Sequence, residues 1–161
     1  MLEKIKKKIP TFIIAIAIPL AVGAISALLT RGNMDIYSEV ATPPLAPPPI
    51  VFPIVWTALY ILMGISSGMI YERREISLDV ARHGIFYYAL SLIFNFFWSI
   101  IFFNMRAFLF AFIWLIILLW LVIKTFCEYK KLSLPAALLQ LPYIVWLVIA
   151  GYLNIGIVLL N

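Results

Sequence analysis

Charged residues punctuate this chain at wide intervals. Phe12 to Thr30 is a run of 19 residues without a charge, Ile50 to Tyr71 one of 22, and Gly84 to Phe103 one of 20. Ala107 to Ile123 adds 17 and Leu132 to Leu160 adds 29. Roughly 20 apolar residues cross a bilayer as a helix, so the pattern predicts five transmembrane helices, at about 9–30, 50–71, 83–104, 107–128 and 134–158. They form one transmembrane domain over residues 1–161. The fourth run is the shortest and extends over Lys124, whose ammonium can snorkel to the interface. The fifth exceeds what a ~30 Å core requires and is expected to tilt or to end among the headgroups. Strand-type alternation is absent, which argues against a β-barrel.

Composition turns this pattern into an exclusion. The chain is 65% hydrophobic and 12% charged, with a mean hydropathy of +1.10, whereas an ordinary soluble domain is about 45–50% apolar and about 25% charged. A soluble fold of this length cannot hide so much apolar surface. A soluble enzyme domain, a disordered tail and a nucleic-acid module are therefore excluded. The first segment has a basic start (Lys4, Lys6, Lys7, Lys8). Its apolar run is too long for a signal peptide and lacks a clear small-x-small cleavage site, so it reads as a span.

The basic residues then orient the bundle. Ten of the twelve fall on one side: the four N-terminal lysines, Arg73, Arg74 and Arg82, and Lys124, Lys130 and Lys131. Only Arg31 and Arg106 fall on the other. The positive-inside rule predicts a cytoplasmic N-terminus and an outside C-terminus. The net charge of +5 is thus a topology signal facing anionic lipid, with no nucleic acid implied. The basic start and short loops suit a bacterial inner membrane.

Most connections are short. Asn104-Met105-Arg106 predicts a tight hairpin between the third and fourth helices. Ser77 and Asp79 are candidate caps for the third helix, and Ser133 before Leu134-Pro135 suits the start of the fifth. The exception is the segment 31–49, which holds Pro43, Pro44, Pro47, Pro48 and Pro49, five of the ten prolines. Proline fixes φ and removes a donor, so this segment is expected to be a stiff, extended strap acting as a lid.

Within the spans, no Asp, Glu, Lys or Arg sits at mid-depth, so an ion-coupled carboxylate relay has no residues to run it. Five spans without an internal repeat argue against a two-repeat transporter. His83 stands at a helix boundary without a second metal ligand, and Cys127 reads as a small apolar filler. No conventional catalytic set, phosphate loop or metal constellation is present.

Aromatic and amide residues form the remaining pattern. Trp56 and Tyr60 share one face of the second helix, Asn95, Trp98 and Phe102 one of the third, and Tyr143, Trp146, Ala150, Leu153 and Asn154 one of the fifth. Pro142 disturbs the backbone just before the last stripe. An amide at membrane depth must face the bundle. Each stripe alone reads as packing or interhelical glue. Together, beneath a stiff lid, they predict an aromatic-walled pocket for a flat apolar ligand. Trp114 and Trp120 are expected to pack or face lipid. Gly64-x-x-x-Gly68 permits close helix approach, either within the chain or between two copies.

Three stretches resemble a known family. The run from Pro43 to Gly64, Pro-Pro-Leu-Ala-Pro-Pro-Pro-Ile-Val-Phe-Pro-Ile-Val-Trp-Thr-Ala-Leu-Tyr-Ile-Leu-Met-Gly, is similar to the hallmark stretch of the translocator protein family, also called tryptophan-rich sensory proteins or peripheral-type benzodiazepine receptors. The block from Asn95 to Arg106 resembles its third-helix motif, and Leu141-Pro142-Tyr143-Ile-Val-Trp146 with Leu153-Asn154 its fifth-helix motif. The resemblance covers essentially the whole chain in order.

It implies an all-α, five-helix membrane bundle, often a homodimer, whose first loop covers a pocket for porphyrins and other flat hydrophobic ligands. Carried over by position, the expected ligand-binding residues are Tyr37, Pro47, Trp56, Tyr60, Asn95, Trp98, Phe102, Tyr143, Trp146, Ala150 and Leu153. Protoporphyrin IX or haem is the implied ligand, and no cofactor or metal is required. Some bacterial members are reported to degrade protoporphyrin IX under light; here Trp56 and Trp146 would be the photochemical candidates. A structural or assembly role, with the stripes serving packing alone, is the third possibility. Leu45 stands where the family usually has a loop tryptophan, and Phe110 where animal members have one. After Tyr152 no Lys or Arg completes the proposed cholesterol motif, so sterol transport is not implied.

Overall fold

The computed structural model describes residues 2–161, with side chains from residue 9 onward. Its helices are α1 (Leu2–Thr30), α2 (Ile36–Glu39), α3 (Val51–Glu72), α4 (Leu78–Ser99), α5 (Phe108–Leu132), α6 (Leu134–Leu138) and α7 (Leu141–Leu160). A 3-10 turn at Arg31–Asn33 follows α1 and a π-turn at Ile100–Asn104 follows α4. Among the described residues there is no strand, and five helical segments are long and apolar enough to cross a membrane. Ile13, Ile14, Ile18 and Leu28 on α1, and Ile113, Ile116 and Trp120 on α5, point outward. This is an integral membrane protein, a five-helix bundle whose solvent is lipid.

The helices close into a ring. α1 packs on α3, α3 meets α6 and the side of α7, α7 packs on α5, α5 on α4, and α4 returns to α1. The α4–α5 and α1–α3 seams are the most extensive, while α3 and α7 touch only sparsely. In lipid, such packing rests on close backbone approach. Gly64 supplies it. A Cβ there would stand 2.5 Å from Ile16 Cα and 2.7 Å from the Ala15 carbonyl oxygen. Buried Pro19 has no N–H to offer that carbonyl, and the bare Gly64 backbone takes up the space beside it. Gly68 faces Phe12 in the same way. The Gly64-x-x-x-Gly68 motif is thus spent inside the chain, on the α1–α3 seam.

Several expectations need correction. The fifth span is two helices, because Pro142 removes the donor owed to Leu138 and the chain turns at Leu139–Gln140. The Gln140 amide donates to Ala137 O at 2.9 Å and its Nε2 to Ser66 Oγ at 3.0 Å. The third span starts at Leu78 instead of 83: Ser77 is extended (φ −154°, ψ 103°), and the polar turn behind it, carrying Asp79, Arg82 and His83, stays exposed. Ser77 occupies the cap position without a side-chain cap bond, whereas Ser133 Oγ accepts from Ala136 N. The fourth span continues past 128 to Leu132, with Lys130 and Lys131 in its last turn facing the negative end of the helix dipole. Cys127 lies exposed on α5 instead of filling the interior.

The strap from 31 to 49 is not uniformly extended. Its first part is helical through the 3-10 turn and α2, because the prolines begin only at Pro43. The connection after α4 is tight as expected. Met105 N donates to Ile100 O at 3.1 Å, and Arg106 takes a left-handed conformation (φ 52°) to reverse the chain.

Candidate functional site

The side chains of α1, α3 and α4 leave a cavity of about 440 Å³ at the loop end of the bundle. Gly23, Ser26 and Ala27 of α1 form one wall, and the bare Gly23 backbone admits the Tyr60 ring, with which a Cβ would collide. Phe52, Pro53, Trp56 and Tyr60 of α3 form the second, and Trp98, Ser99 and Phe103 the third. Met34, Asp35 and Tyr37, with Pro49 and Ile50, cover it from the loop. The spacing 52, 56, 60 is one face of a helix, which is why a single stripe of α3 lines so much of the space.

The walls are mutually stacked rings. Tyr37 lies 5.0 Å from Phe52 and 6.1 Å from Phe102, centroid to centroid. Trp98 stacks on Phe102 at 5.2 Å with 25° between planes. Trp56 stacks on Tyr60 at 5.5 Å, and its ring meets Tyr143 edge-on at 6.0 Å. Below these rings runs a buried polar chain. The Tyr60 hydroxyl donates to Asn95 Oδ1 at 2.9 Å, and Asn95 Nδ2 donates to the Tyr143 hydroxyl at 2.9 Å. One amide therefore ties α3, α4 and α7 together and sets the angle of the Tyr60 ring at the cavity wall.

Of the residues expected to bind ligand, Tyr37, Trp56, Tyr60 and Trp98 line the cavity. Asn95 and Tyr143 are buried behind them in the polar chain, and Phe102 is buried behind Trp98. Trp146 stands one layer further out, edge-on to Phe52 at 5.8 Å. Ala150 and Leu153 are buried in the bundle away from the cavity lining, and Pro47 lies in the loop without reaching it. Asn154 is interhelical glue, its Nδ2 donating to Phe108 O at 2.8 Å. Trp114 packs against Phe94 at 4.4 Å and donates to the Phe94 carbonyl at 2.8 Å. The α1 wall, Phe52 and Phe103 were missed. Gly23, Ser26 and Ala27 carry no chemistry that sets them apart from helix packing, and no ring on α1 marks it as a wall.

Contacts fasten the loop from Asn33 to Pro44. Pro43 rests on Gly156, where a Cβ would come within 2.6 Å of its ring. Tyr152 donates to Pro44 O at 2.8 Å, and the Asn161 amide pairs with the Ala41 backbone at 3.0 and 3.1 Å. Arg106 and Glu39 form an ion pair at 2.8 Å, and Asn33 donates to Asn104 at 2.9 Å. Leu45, at φ 65°, is 95% exposed and touches nothing over the cavity.

Chemically, the lining offers ring faces and few polar atoms; Asp35 is its one carboxylate, and it has no histidine or cysteine. Among the described residues no group of three potential metal ligands occurs. The arrangement suits recognition by stacking and apolar area.

Comparison with known proteins agrees with this architecture. The model of the TspO/MBR family matches residues 15–160. The chain is 31% identical over 160 residues to the tryptophan-rich protein TspO of Chlorobaculum tepidum, covering 96% of this chain and 98% of that protein. It is 32% identical over 152 residues to the tryptophan-rich sensory protein of Cereibacter sphaeroides, covering 94% and 89%. It is also 32% identical over 133 residues to the translocator protein of Bos taurus, covering 82% and 79%. A match that runs through all five spans, over a cavity walled by tryptophans, makes this chain a member of the TspO/MBR family.

Proposed function

We propose that the protein binds porphyrin-type tetrapyrroles and similar flat hydrophobic molecules in the aromatic cavity, for sensing, sequestration or transport. The carrying observation is the cavity itself: about 440 Å³, with Tyr37, Phe52, Trp56, Tyr60, Trp98 and Phe103 in its walls. That volume falls in the range of roughly 300–1,000 Å³ typical of small-molecule sites. The relatives' names, tryptophan-rich sensory protein and translocator protein, support a sensory or translocating role. The bias of basic residues supports a bacterial inner-membrane protein with a cytoplasmic N-terminus. A homodimer would have to use a face other than Gly64 and Gly68, which pack against α1.

A second reading, light- and oxygen-dependent protoporphyrin IX degradation, draws on the two indoles, Trp56 and Trp98, at the cavity wall. It needs a photoexcited porphyrin beside an oxidisable ring, with no acid–base pair. One titration separates the readings. Protoporphyrin IX is added to purified protein in the dark while tryptophan emission is followed, and absorbance is then followed under illumination. Saturable quenching without protein-dependent bleaching supports the binder; bleaching that requires the protein supports the enzyme. Absence of saturable quenching removes both and leaves a structural role.

A further inference from the structure

A second concavity lies on the outside of the bundle, between α3 and α7. It has a volume of about 630 Å³ and an almost wholly apolar lining. Ile54, Ala58 and Leu62 form its α3 side, and Leu141, Pro142 and Val145 its α7 side. Trp146 also borders it. This groove opens where the ring of helices is thinnest. Along the seam α3 and α7 are joined through Asn95 and by ring contacts. The direct hydrogen bonds, Ser66 to Ala136 and Gln140 to Ser66, lie beyond it at the α6 end.

Groove and cavity share a partition. Phe52 lines the cavity, Trp146 borders the groove, and the two rings meet edge-on at 5.8 Å. The Trp146 indole N–H is buried without a hydrogen-bond partner among the described residues, so none of them pins this ring by its N–H. The break at Leu139–Gln140 lies beside the groove residues Leu138, Leu141 and Pro142. Where an i−4 hydrogen bond is missing, a helix can swing. The loop route, by contrast, is fastened by Tyr152, Asn161 and the Arg106–Glu39 pair.

We propose that the α3–α7 groove is a lateral portal, through which a flat apolar molecule dissolved in the bilayer reaches the cavity when the Phe52 and Trp146 rings part. The occupant follows from position and continuity: the groove faces lipid, offers no polar partner, and ends on the wall of the cavity. This inference rests on the ligand-binding reading above.

The test uses the full chain in phosphatidylcholine nanodiscs, with protoporphyrin IX as the probe. Ala58 is exposed and lies outside the cavity, so Ala58→Phe fills the groove without touching the interior. Stopped-flow quenching should show association and dissociation slowed together by about tenfold, with Kd unchanged. Unaltered rates, or a changed Kd with an unaltered association rate, overturn the portal. A second arm needs no tetrapyrrole. Phosphatidylcholine brominated along its acyl chains should quench an emission component that disappears in Trp146→Phe; if bromine quenching is the same in both proteins, lipid does not reach Trp146 and the portal fails. Absence of porphyrin binding in the wild type would count against the ligand reading, and the bromine arm would then decide the portal alone.

Discussion

Asn95 donates to the hydroxyl of Tyr143 at 2.9 Å, and this one bond joins the third and fifth spans at bilayer depth. The same side chain accepts from Tyr60, so both ends of the amide are used. A lipid-exposed position could satisfy neither. The amide therefore positions the aromatic wall from behind.

Replacing it should loosen the bundle. Asn95→Leu leaves two buried tyrosine hydroxyls without partners and is expected to cost about 1–2 kcal/mol. Thermal unfolding in detergent, followed by circular dichroism, reads the loss. Combined with Tyr143→Phe, the cost should be smaller than the sum of the single changes. Strict additivity would show that the two side chains act independently.

Gly64 and Gly151 make a matched pair. An added methyl at Gly64 meets the backbone of α1, whereas at Gly151 the nearest atom is Leu115 Cδ2 at 3.5 Å. Gly64→Ala should destabilise by about 1–3 kcal/mol through overpacking. Gly151→Ala should be neutral, or stabilising by up to about 1 kcal/mol from helix propensity. Equal melting temperatures for the two variants would sink the account of the α1–α3 seam.

The loop fastenings differ in strength. Glu39 and Arg106 are each about half exposed, with side-chain accessibilities of 49%, so Glu39→Gln should change stability by less than about 0.5 kcal/mol. Asn161→Ala removes both bonds to Ala41 and should raise amide exchange across residues 40–50. Exchange that rises in Glu39→Gln but not in Asn161→Ala would reverse this ranking.

Quenching by protoporphyrin IX should divide the tryptophans by layer. Trp56 and Trp98 line the cavity, so Trp56→Phe and Trp98→Phe should each remove a large share of the quenching. Trp146 sits behind Phe52, and Trp146→Phe should remove less. A dominant loss in the Trp146 variant would move the ligand toward α7.

Much of the architecture was readable before any coordinates. Charge-free runs marked the spans because lipid tolerates no mid-depth charge, and Pro142 announced a disturbance in the fifth. Trp56 and Tyr60 were separable by helical period, but a period states only which side chains share a face. It does not state what the face meets. Tyr143 and Trp146 therefore read as pocket walls, when one is locked to Asn95 and the other lies behind Phe52. The α1 wall stayed invisible for the opposite reason: Gly23, Ser26 and Ala27 shape the cavity by lacking bulk, and absent bulk looks the same whether a helix or a ligand fills it.

The π-turn at Ile100–Asn104 makes the loop's attachment a matter of counting. A wide turn accommodates more chain than an α-helix does over the same rise. Asn104 at its end reaches Leu29 O at 3.1 Å and receives the Asn33 amide. Winding these same five residues as a regular α-helix would carry the end of the stretch further round the axis by one residue's rotation, roughly 100°. Asn104 would then face away from both partners, although every residue that forms the latch would still be encoded. In this fold, the width of the turn after Ser99 decides where Asn104 points.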